Sequence, residues 1–341
     1  MSEKQLAPVI VGIGASAGGL AAFKNFFAAM PVDTGMAFVL VQHLDPQHQS
    51  MLVELLRPQT TMPVREAKDG IAVVANAIYI IPRDATLTIK GGVLRVETPA
   101  PERQRRRPIN TFFSSLAEDQ GERGVAIVLS GVGTDGSLGV RTIKEHGGLT
   151  IAQAEFDHEA LQGMPSSAAA TGFVDVVLPI EAMPGKLIDY QSHLNEVAAH
   201  KDGNGARRDV TGELAQIVAL LRARTGHDFS GYKENTLTRR VQRRMQLLRI
   251  ETATAYVGRL KVEPRELDLL FHEFLIGVTE FFRNQDSFNA LAAVISKLVV
   301  DKGPDEQVRI WVPGCATGEE VYSIAIMMRE ARGRQPVTSN L

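Results

Sequence analysis

The sequence contains little cysteine, little net charge and no long hydrophobic run. Its single cysteine, Cys315, excludes an internal disulfide and is typical of a reducing compartment. No apolar run reaches about 18 residues and no stretch resembles a signal peptide, so we expect a soluble, cytoplasmic protein without membrane insertion. The formal net charge of -2 argues against a protein that binds nucleic acid in bulk.

The sequence does show a change of pattern along its length. Its 341 residues predict about two domains. Short apolar runs alternate with amphipathic ones over residues 9–178, which predicts an α/β fold with a doubly wound, mostly parallel sheet. Strands are expected at 9–13, 37–42, 78–81, 86–89, 93–96, 125–129, 149–152 and 174–178, with a small antiparallel excursion in the middle group. Helices are expected at 18–29, 49–57, 109–120, 136–146 and 164–170.

Small polar residues at 201–205 indicate a linker, and the periodicity beyond it is helical, which predicts a small all-α domain. The last segment predicts a buried strand at 307–312, a glycine loop and a helix at 321–332. This is the first βα unit of a Rossmann-like domain, and we expect it to be truncated because its further strands would lie beyond Leu341. The expected divisions are residues 6–190, a helix end and linker at 191–210, the all-α domain at 211–301, and the truncated unit at 305–341.

An apolar run that breaks into small residues around one serine, residues 9–20, predicts a buried strand, a tight turn and a helix start. Ser16 would then lie at a helix N-terminus, where unpaired amides favour negative charge. Residues 14–18, GASAG, match the nucleophile turn of serine hydrolases, and residues 12–17 match the G-x-G-x-x-A turn of dinucleotide-binding proteins. A glycine turn without chemistry is the third interpretation.

His43 bears on this choice. The dinucleotide interpretation needs an acidic residue at the end of the second strand, but the strand predicted at 37–42 is followed by His43, and Asp33 precedes it. Carboxyl ends of neighbouring strands in a doubly wound sheet border one crevice, so His43 is a candidate base for Ser16. A purely structural histidine is equally compatible with the spacing.

A second glycine-rich turn follows the strand predicted at 125–129 and contains Asp135. Asp135 is a candidate for orienting the imidazole of His43, and its ordinary alternative is a helix N-cap. Because glycines let the backbone approach a substrate closely, the amide of Val132 is the candidate oxyanion donor.

Four segments together resemble the catalytic domain of the CheB-type chemotaxis protein-glutamate methylesterases. They are residues 12–19, 41–44, 129–136, and 152–153 with 163–165, and the resemblance spans residues 6 to about 190.

This resemblance implies Ser16 as nucleophile, His43 as base and Asp135 as orienting acid, on a parallel α/β sheet and without a cofactor or metal. The implied reaction is hydrolysis of glutamate γ-methyl esters of chemoreceptors. The order Ser, His, Asp along the chain differs from that of the α/β-hydrolases. Because no phospho-receiver segment precedes residue 6, we expect phosphorylation control of the usual kind to be absent from this chain.

The helix predicted over residues 236–249 carries four arginines on one face, with apolar residues on another. They are Arg239, Arg240, Arg243 and Arg244. No acidic residue lies at i±4 to neutralise them, so a docking surface for an acidic helix or polyanion competes with an ordinary solvated face.

Residues 211–332 resemble a CheR-type chemotaxis receptor methyltransferase, through the arginine helix and the segments 278–283, VTEFFR, and 314–323, GCATGEEVYS. The resemblance implies that the four arginines face acidic receptor helices.

It also implies S-adenosylmethionine as cofactor of the methyltransferase part, contacted by Thr279, Arg283 and Glu319. A surface charge for Arg283 and a first-turn acid for Glu319 are the ordinary alternatives. The acidic residue expected after the second strand would lie beyond Leu341, so this chain lacks part of the expected cofactor site.

Three functions follow as hypotheses. The first is an active methylesterase with an incomplete transferase, acting on the cytoplasmic helices of methylated chemoreceptors. The second is a catalytically silent signalling scaffold that binds receptors or other signalling proteins. The third is methyl transfer as the main activity of the full-length protein.

Overall fold

A computed structural model describes residues 7–16, 18–42, 51–97, 107–154, 163–199, 203–275, 281–282, 285–301, 307–315 and 318–333. The chain divides into two compact units, Met1–Phe274 and Leu275–Leu341. Among the described residues, no helix is both long and apolar enough to cross a lipid bilayer.

The first unit begins with alternating strands and helices. Its strands are β1 (Ile10–Ala15), β2 (Ala37–Gln42), β3 (Val64–Glu66), β4 (Ala77–Ile80), β5 (Thr86–Lys90), β6 (Val93–Glu97), β7 (Gly124–Val128), β8 (Leu149–Gln153) and β9 (Val176–Leu178). Its helices are α1 (Gly19–Ala29), α2 (Leu52–Leu56), α3 (Pro108–Gln120), α4 (Ser137–Glu145), α5 (Met164–Ala170), α6 (Met183–Ala199), α7 (Gly203–Thr225), α8 (Glu234–Leu248), α9 (Ala253–Val262) and α10 (Pro264–Phe274). The second unit contains α11 (Gln285–Asp301) and α12 (Glu319–Gly333).

Seven of the strands form one parallel sheet in the order β3-β4-β2-β1-β7-β8-β9. The central strands β1 and β7 are buried along their whole length, as their unbroken apolar sequences require. Strand β1 pairs with β2 on one side and β7 on the other, so the chain order reverses there and a crevice opens at the carboxyl ends. The predicted doubly wound sheet is confirmed, and the predicted antiparallel excursion is the hairpin β5–β6.

Helices cover both faces of the sheet. Phe23, Phe26 and Phe27 of α1 pack with α6 in the core of one face. Phe112 and Phe113 of α3 pack with α4 and the hairpin in the core of the other. Aromatic side chains supply large apolar areas, so these two layers account for much of the burial of the α/β part.

The helices α7 to α10 share a separate apolar core, which confirms the predicted all-α segment. Its predicted end at residue 301 is wrong, because the compact unit ends at Phe274 and α11 packs against α12 instead. Helix α6 runs to Ala199, in agreement with the helix end predicted within 191–210, whereas the linker predicted after it is helical from Gly203, where α7 begins.

Two strand expectations differ from the structure. Strand β3 was not predicted, because three residues are too few to show a period of two. The prediction of a strand at 307–312 is wrong, since the structure has no strand at those residues. A strand needs neighbouring backbone to satisfy its N–H and C=O groups, and no described strand pairs with this segment.

Candidate active site

Ser16 lies directly after β1, at the point where the chain turns into α1. Its amide donates to the carbonyl of Ser130 at 3.0 Å, and its carbonyl accepts from the amide of Gly19 at 2.9 Å. The side-chain Nε2 of Gln42 donates to the same carbonyl at 3.3 Å. Gly18 has φ +80°, a left-handed conformation that permits the sharp turn. The predicted strand, turn and helix start are therefore confirmed.

The second glycine turn, residues 130–136, lies against Ser16. A Cβ on Gly131 would meet the Cβ of Ser16 at 2.8 Å and the sulfur of Met164 at 2.7 Å, so only glycine fits there. The amide of Met164 donates to the carbonyl of Gly131 at 2.9 Å. The two glycine turns thus form one packed unit at the carboxyl edge of the sheet.

Asp135 is buried, with 6 % of its surface exposed. Its carboxylate accepts the amides of Ile109 at 3.1 Å, Asn110 at 3.0 Å and Gly136 at 2.9 Å. Ile109 and Asn110 lie in the first turn of α3, whose free amides and positive dipole end stabilise a carboxylate. Asp135 therefore fixes the start of a different helix from the one it precedes, which sequence spacing did not reveal.

Glycine in β1 brings α3 close to this turn. A Cβ on Gly14 would lie 2.5 Å from Cγ2 of Ile109, a distance that real side chains do not reach. The close approach of α3 to β1 is what presents the Ile109 and Asn110 amides to Asp135.

Val132, the candidate oxyanion donor, forms an isolated antiparallel bridge with Gly163. The Met164 amide bonds the Gly131 carbonyl, so the hydrogen bonds of this bridge run through flanking residues and the Val132 amide takes no part in them. The Val132 side chain is 68 % exposed, which places this backbone at the open side of the turn.

Sequence reasoning missed the residues that support the turns. The amide of Ser130 donates to Oε1 of Gln153 at 2.8 Å, so the end of β8 holds the second turn in position. The Gln42 side chain does the same for the first turn. A glutamine at the carboxyl end of two strands of this sheet is the signal that could have indicated them.

The position of His43 lies outside the described residues. Its neighbour Gln42 ends β2 and pairs with Ala15, the residue before Ser16. The structure thus brings Ser16 against the turn that carries Asp135, whereas the role of His43 stays a prediction.

Three arginines of α8 are buried and paired: Arg240, Arg243 and Arg244, hereafter the α8 arginine cluster. Arg244 forms two hydrogen bonds with Glu266, at 2.9 and 2.7 Å. The prediction of an exposed docking face is therefore wrong for these three. Their partners lie on other elements, so the absence of an acidic residue at i±4 did not indicate free charge. Arg239 is exposed, and its docking role stays a prediction.

Arg243 connects the helical part to the α/β part. Its guanidinium donates to both carboxylate oxygens of Glu273, at 3.0 and 3.1 Å, and to one carboxylate oxygen of Asp175, at 2.5 Å. It also donates to the carbonyls of Gly147 and Gly148, just beyond the end of α4. Burial on its own lowers the pKa of Arg243, but Asp175 and Glu273 raise it above its ordinary value.

Lys144 and Arg240 complete this network. The ammonium of Lys144 lies 3.2 Å from Asp175 and 3.7 Å from Glu273. Arg240 donates to the carbonyl of Lys144 at 3.2 Å, at the negative dipole end of α4. Burial on its own raises the pKa of Asp175, yet Arg243, Lys144 and two hydrogen bonds hold it well below its usual range.

The methyltransferase residues are described only in part. Thr279 and Arg283 lie outside the described residues, and Glu319 is the first residue of α12. The loop before it contains Gly314 at φ +71° and Gly318 at φ +104°, a glycine turn that leads into a helix. Within the described ranges, no group of three or more His, Cys, Asp or Glu side chains converges to hold a metal.

Three family models match successive parts of the chain. The model of the CheB methylesterase matches residues 11–187. The model of the all-alpha domain of the CheR methyltransferase matches residues 212–275, and that of its SAM-binding domain matches residues 277–339.

Individual proteins are also similar to this chain in sequence. A Rhodobacter capsulatus protein described as an uncharacterized 104.1 kDa protein in the hypE 3' region is 36 % identical over 84 % of this chain and 32 % of its own length. Protein-glutamate methylesterase/protein-glutamine glutaminase 2 of Cupriavidus metallidurans is 36 % identical over 53 % of this chain and 54 % of its own. The chain thus spans about a third to a half of these relatives. The crystal structure of the Thermotoga maritima CheB methylesterase catalytic domain is 30 % identical, with a TM-score of 0.48, over 54 % of this chain and 99 % of that one.

Proposed function

Because a family model covering just over half of the chain matches it, this protein belongs to the CheB methylesterase family, and we propose that it is a serine hydrolase that demethylates glutamate γ-methyl esters of chemoreceptors. The observation that carries the proposal is the packing of the Ser16 turn against Gly131, in the turn that also holds Asp135. Strand β2, which precedes His43, adjoins β1 on its other side. All three residues thus follow neighbouring strands, β2, β1 and β7.

In the proposed acylation step, Oγ of Ser16 attacks the ester carbonyl carbon while His43 takes its proton. The amide of Val132 donates to the oxyanion that develops on the carbonyl oxygen. His43 then gives its proton to the departing methoxy oxygen, so that methanol leaves and a glutamyl ester of Ser16 remains.

Deacylation repeats these roles with water. His43 takes a proton from water, the hydroxide oxygen attacks the ester carbon, and Ser16 leaves with the proton that His43 returns. The product is a glutamate carboxyl group. Asp135 orients His43 and stabilises its protonated form, and its hydrogen bonds to Ile109 and Asn110 keep its carboxylate fixed during both steps.

A second activity is proposed on the same residues. Several relatives are named protein-glutamate methylesterase/protein-glutamine glutaminase. An amide differs from the ester only in its leaving group, since ammonia rather than methanol takes the proton from His43. We expect glutamine side chains of the same receptor segments to be hydrolysed more slowly, because an amide is the less reactive acyl donor.

For the part matched by CheR models, we assign S-adenosylmethionine as the ligand, with Thr279, Arg283 and Glu319 as its contacts. Support comes from the SAM-binding family model and from the glycine turn that precedes Glu319. Methyl transfer as the main activity of a longer protein, and a receptor-binding scaffold without turnover, remain the alternatives.

The deciding experiment measures methanol release from methylated chemoreceptor by the wild type, Ser16→Ala and the control Ser114→Ala. Ser114 is a half-buried serine on α3 whose hydroxyl contacts Thr142, away from the turns. We expect the Ser16 variant to lose about 10⁴-fold or more in kcat and the control to be unaffected. Equal rates for wild type and Ser16→Ala would reject the proposal and favour the scaffold alternative.

A further inference from the structure

An open pocket of about 840 Å³ lies at the carboxyl edge of the sheet, on the side of β3 and β4. Its walls come from α2, from β3 and the residues that follow it, and from Pro82 and Arg83, which follow β4. We call it the edge pocket. None of the described residues that line it belongs to the two glycine turns.

The charged lining of the edge pocket is predominantly basic. Its described lining residues include four cations and two acids: Arg57, Arg65, Lys68 and Arg83, and Glu54 and Glu66. The side chains of all four cations are exposed. Every ion pair found in the described part of the chain involves other residues. The pocket therefore presents a surplus of positive charge that attracts an anionic ligand.

The strand order fixes how far this charge lies from Ser16. Strand β4 is separated from β1 only by β2, and adjacent strands lie about 4.8 Å apart, so the near side of the edge pocket, beyond the end of β4, is about 10 Å from β1. An α-helix rises about 1.5 Å per residue, so this distance corresponds to about seven residues, or two turns. A helix with a methyl ester at Ser16 can thus place residues two turns away over the edge pocket.

The shape and lining of the pocket suit a protein segment better than a small molecule. Pockets for small ligands are mostly apolar and enclose their ligand, whereas the edge pocket is open and rimmed by charge. Val53 and Ile71 are half-buried in its wall and offer apolar contact between the cations. Apolar contact surrounded by positive charge complements an amphipathic segment with acidic side chains.

We propose that the edge pocket binds an acidic segment of the substrate protein, about two helical turns from the ester that Ser16 attacks. The assignment of the ester rests on the proposed function, but the anionic character of the ligand rests on the pocket itself. Arg65 in β3 and Arg83 after β4 would contact carboxylates of the bound segment and hold the ester in register with Ser16.

Binding is tested without turnover, using the full chain carrying Ser16→Ala and a fluorescent amphipathic peptide with glutamates two helical turns apart. The test variant adds Arg65→Gln and Arg83→Gln. The charge-matched control adds Lys90→Gln and Arg95→Gln, two exposed cations on the β5–β6 hairpin. From anisotropy at low ionic strength, we expect Kd to rise about fivefold to tenfold for the test variant and to stay unchanged for the control. Added salt reduces this difference, since the contacts are exposed.

Equal affinities of the test variant and the control would overturn the proposal, as would complete displacement of the peptide by inorganic phosphate, which would identify a small-anion site. A second measurement uses peptides with a glutamate methyl ester flanked by glutamates or by glutamines. In the otherwise wild-type chain, the preference in kcat/KM for the acidic peptide is expected to disappear with the pocket substitutions. Peptide binding without any ester hydrolysis would reject the proposed function alone. Hydrolysis without a preference for the acidic peptide would reject the edge pocket alone.

Discussion

Two basic regions of the first unit place arginine side chains in opposite environments, one buried and one exposed. The α8 arginine cluster is buried, and each of its guanidinium groups contacts a carboxylate of Glu266 or Glu273. The cations of the edge pocket are exposed, and no described carboxylate lies within ion-pair distance of them. The first region supports the structure, and the second is available to a ligand.

The difference arises from what the fold presents to each region. Helix α4 presents its last carbonyls and its negative dipole end to α8, and the side chain of Asp175 is buried beside them. Arginine satisfies several acceptors at once, which makes α8 a joint between the helical and α/β parts. In the described lining of the edge pocket, the two acids Glu54 and Glu66 form no ion pair with its cations. The number of arginines in a sequence segment therefore does not indicate docking, because the surrounding acceptors decide.

Removing Arg243 is expected to have the largest effect on stability. Arg243→Met keeps much of the side-chain volume but leaves Asp175 and Glu273 buried without their main counter-charge. The free energy of unfolding should fall by about 3–5 kcal/mol, as measured by urea denaturation of the full chain. Arg65→Met in the edge pocket is the matched control, with an expected change within about 0.5 kcal/mol. Similar losses for both variants would contradict the distinction between the two regions.

The second-largest effect is expected from acid pH, which weakens the buried network around Asp175. The pKa of Asp175 is held well below its usual range in the folded protein and is about 3.9 when unfolded. The unfolded state therefore binds the proton first. The stabilisation is fully present above about pH 5 and is lost as the pH falls through 4 towards the lower folded pKa.

Urea denaturation at a series of pH values checks this prediction. Between about pH 5 and pH 3, the wild type should lose on the order of 1–2 kcal/mol more stability than Asp175→Asn, whose amide does not titrate. The variant is less stable at neutral pH, so the slopes rather than the absolute values are compared. Parallel curves for the two proteins would show that Asp175 does not supply the acid sensitivity.

Much of the fold could be predicted from local sequence. Continuous apolar runs indicate strands such as β1 and β7 because a central parallel strand is buried on both faces. The glycines around Ser16 indicate its turn because Gly18 needs a positive φ. Strand β3 escaped detection because it is short, and residues 307–312 misled because an apolar run forms a strand only beside another strand.

Local sequence patterns do not predict the contacts that support the site. Asp135 was recognised as a polar residue at the sheet edge, but its bonds to Ile109 and Asn110 depend on how α3 packs on β1. No acid lies at i±4 from the arginines of the α8 arginine cluster, whereas Asp175, a partner of Arg243, lies 68 positions from it along the chain. Such partners are set by tertiary packing, which one sequence does not reveal.

Substitution of Arg239 is expected to have the smallest effect on stability. Arg239 lies on the same helix as the buried arginines, so it tests whether burial decides what an arginine contributes. It is exposed, unlike its neighbour Arg240, so its guanidinium is already solvated in the folded protein. Arg239→Gln should change the free energy of unfolding by less than about 0.5 kcal/mol and leave ester hydrolysis unaltered. Parallel measurement of Arg240→Gln, expected to be clearly less stable, controls for the helix position. A large stability loss with Arg239→Gln would show that position on α8, rather than burial and pairing, decides what an arginine contributes.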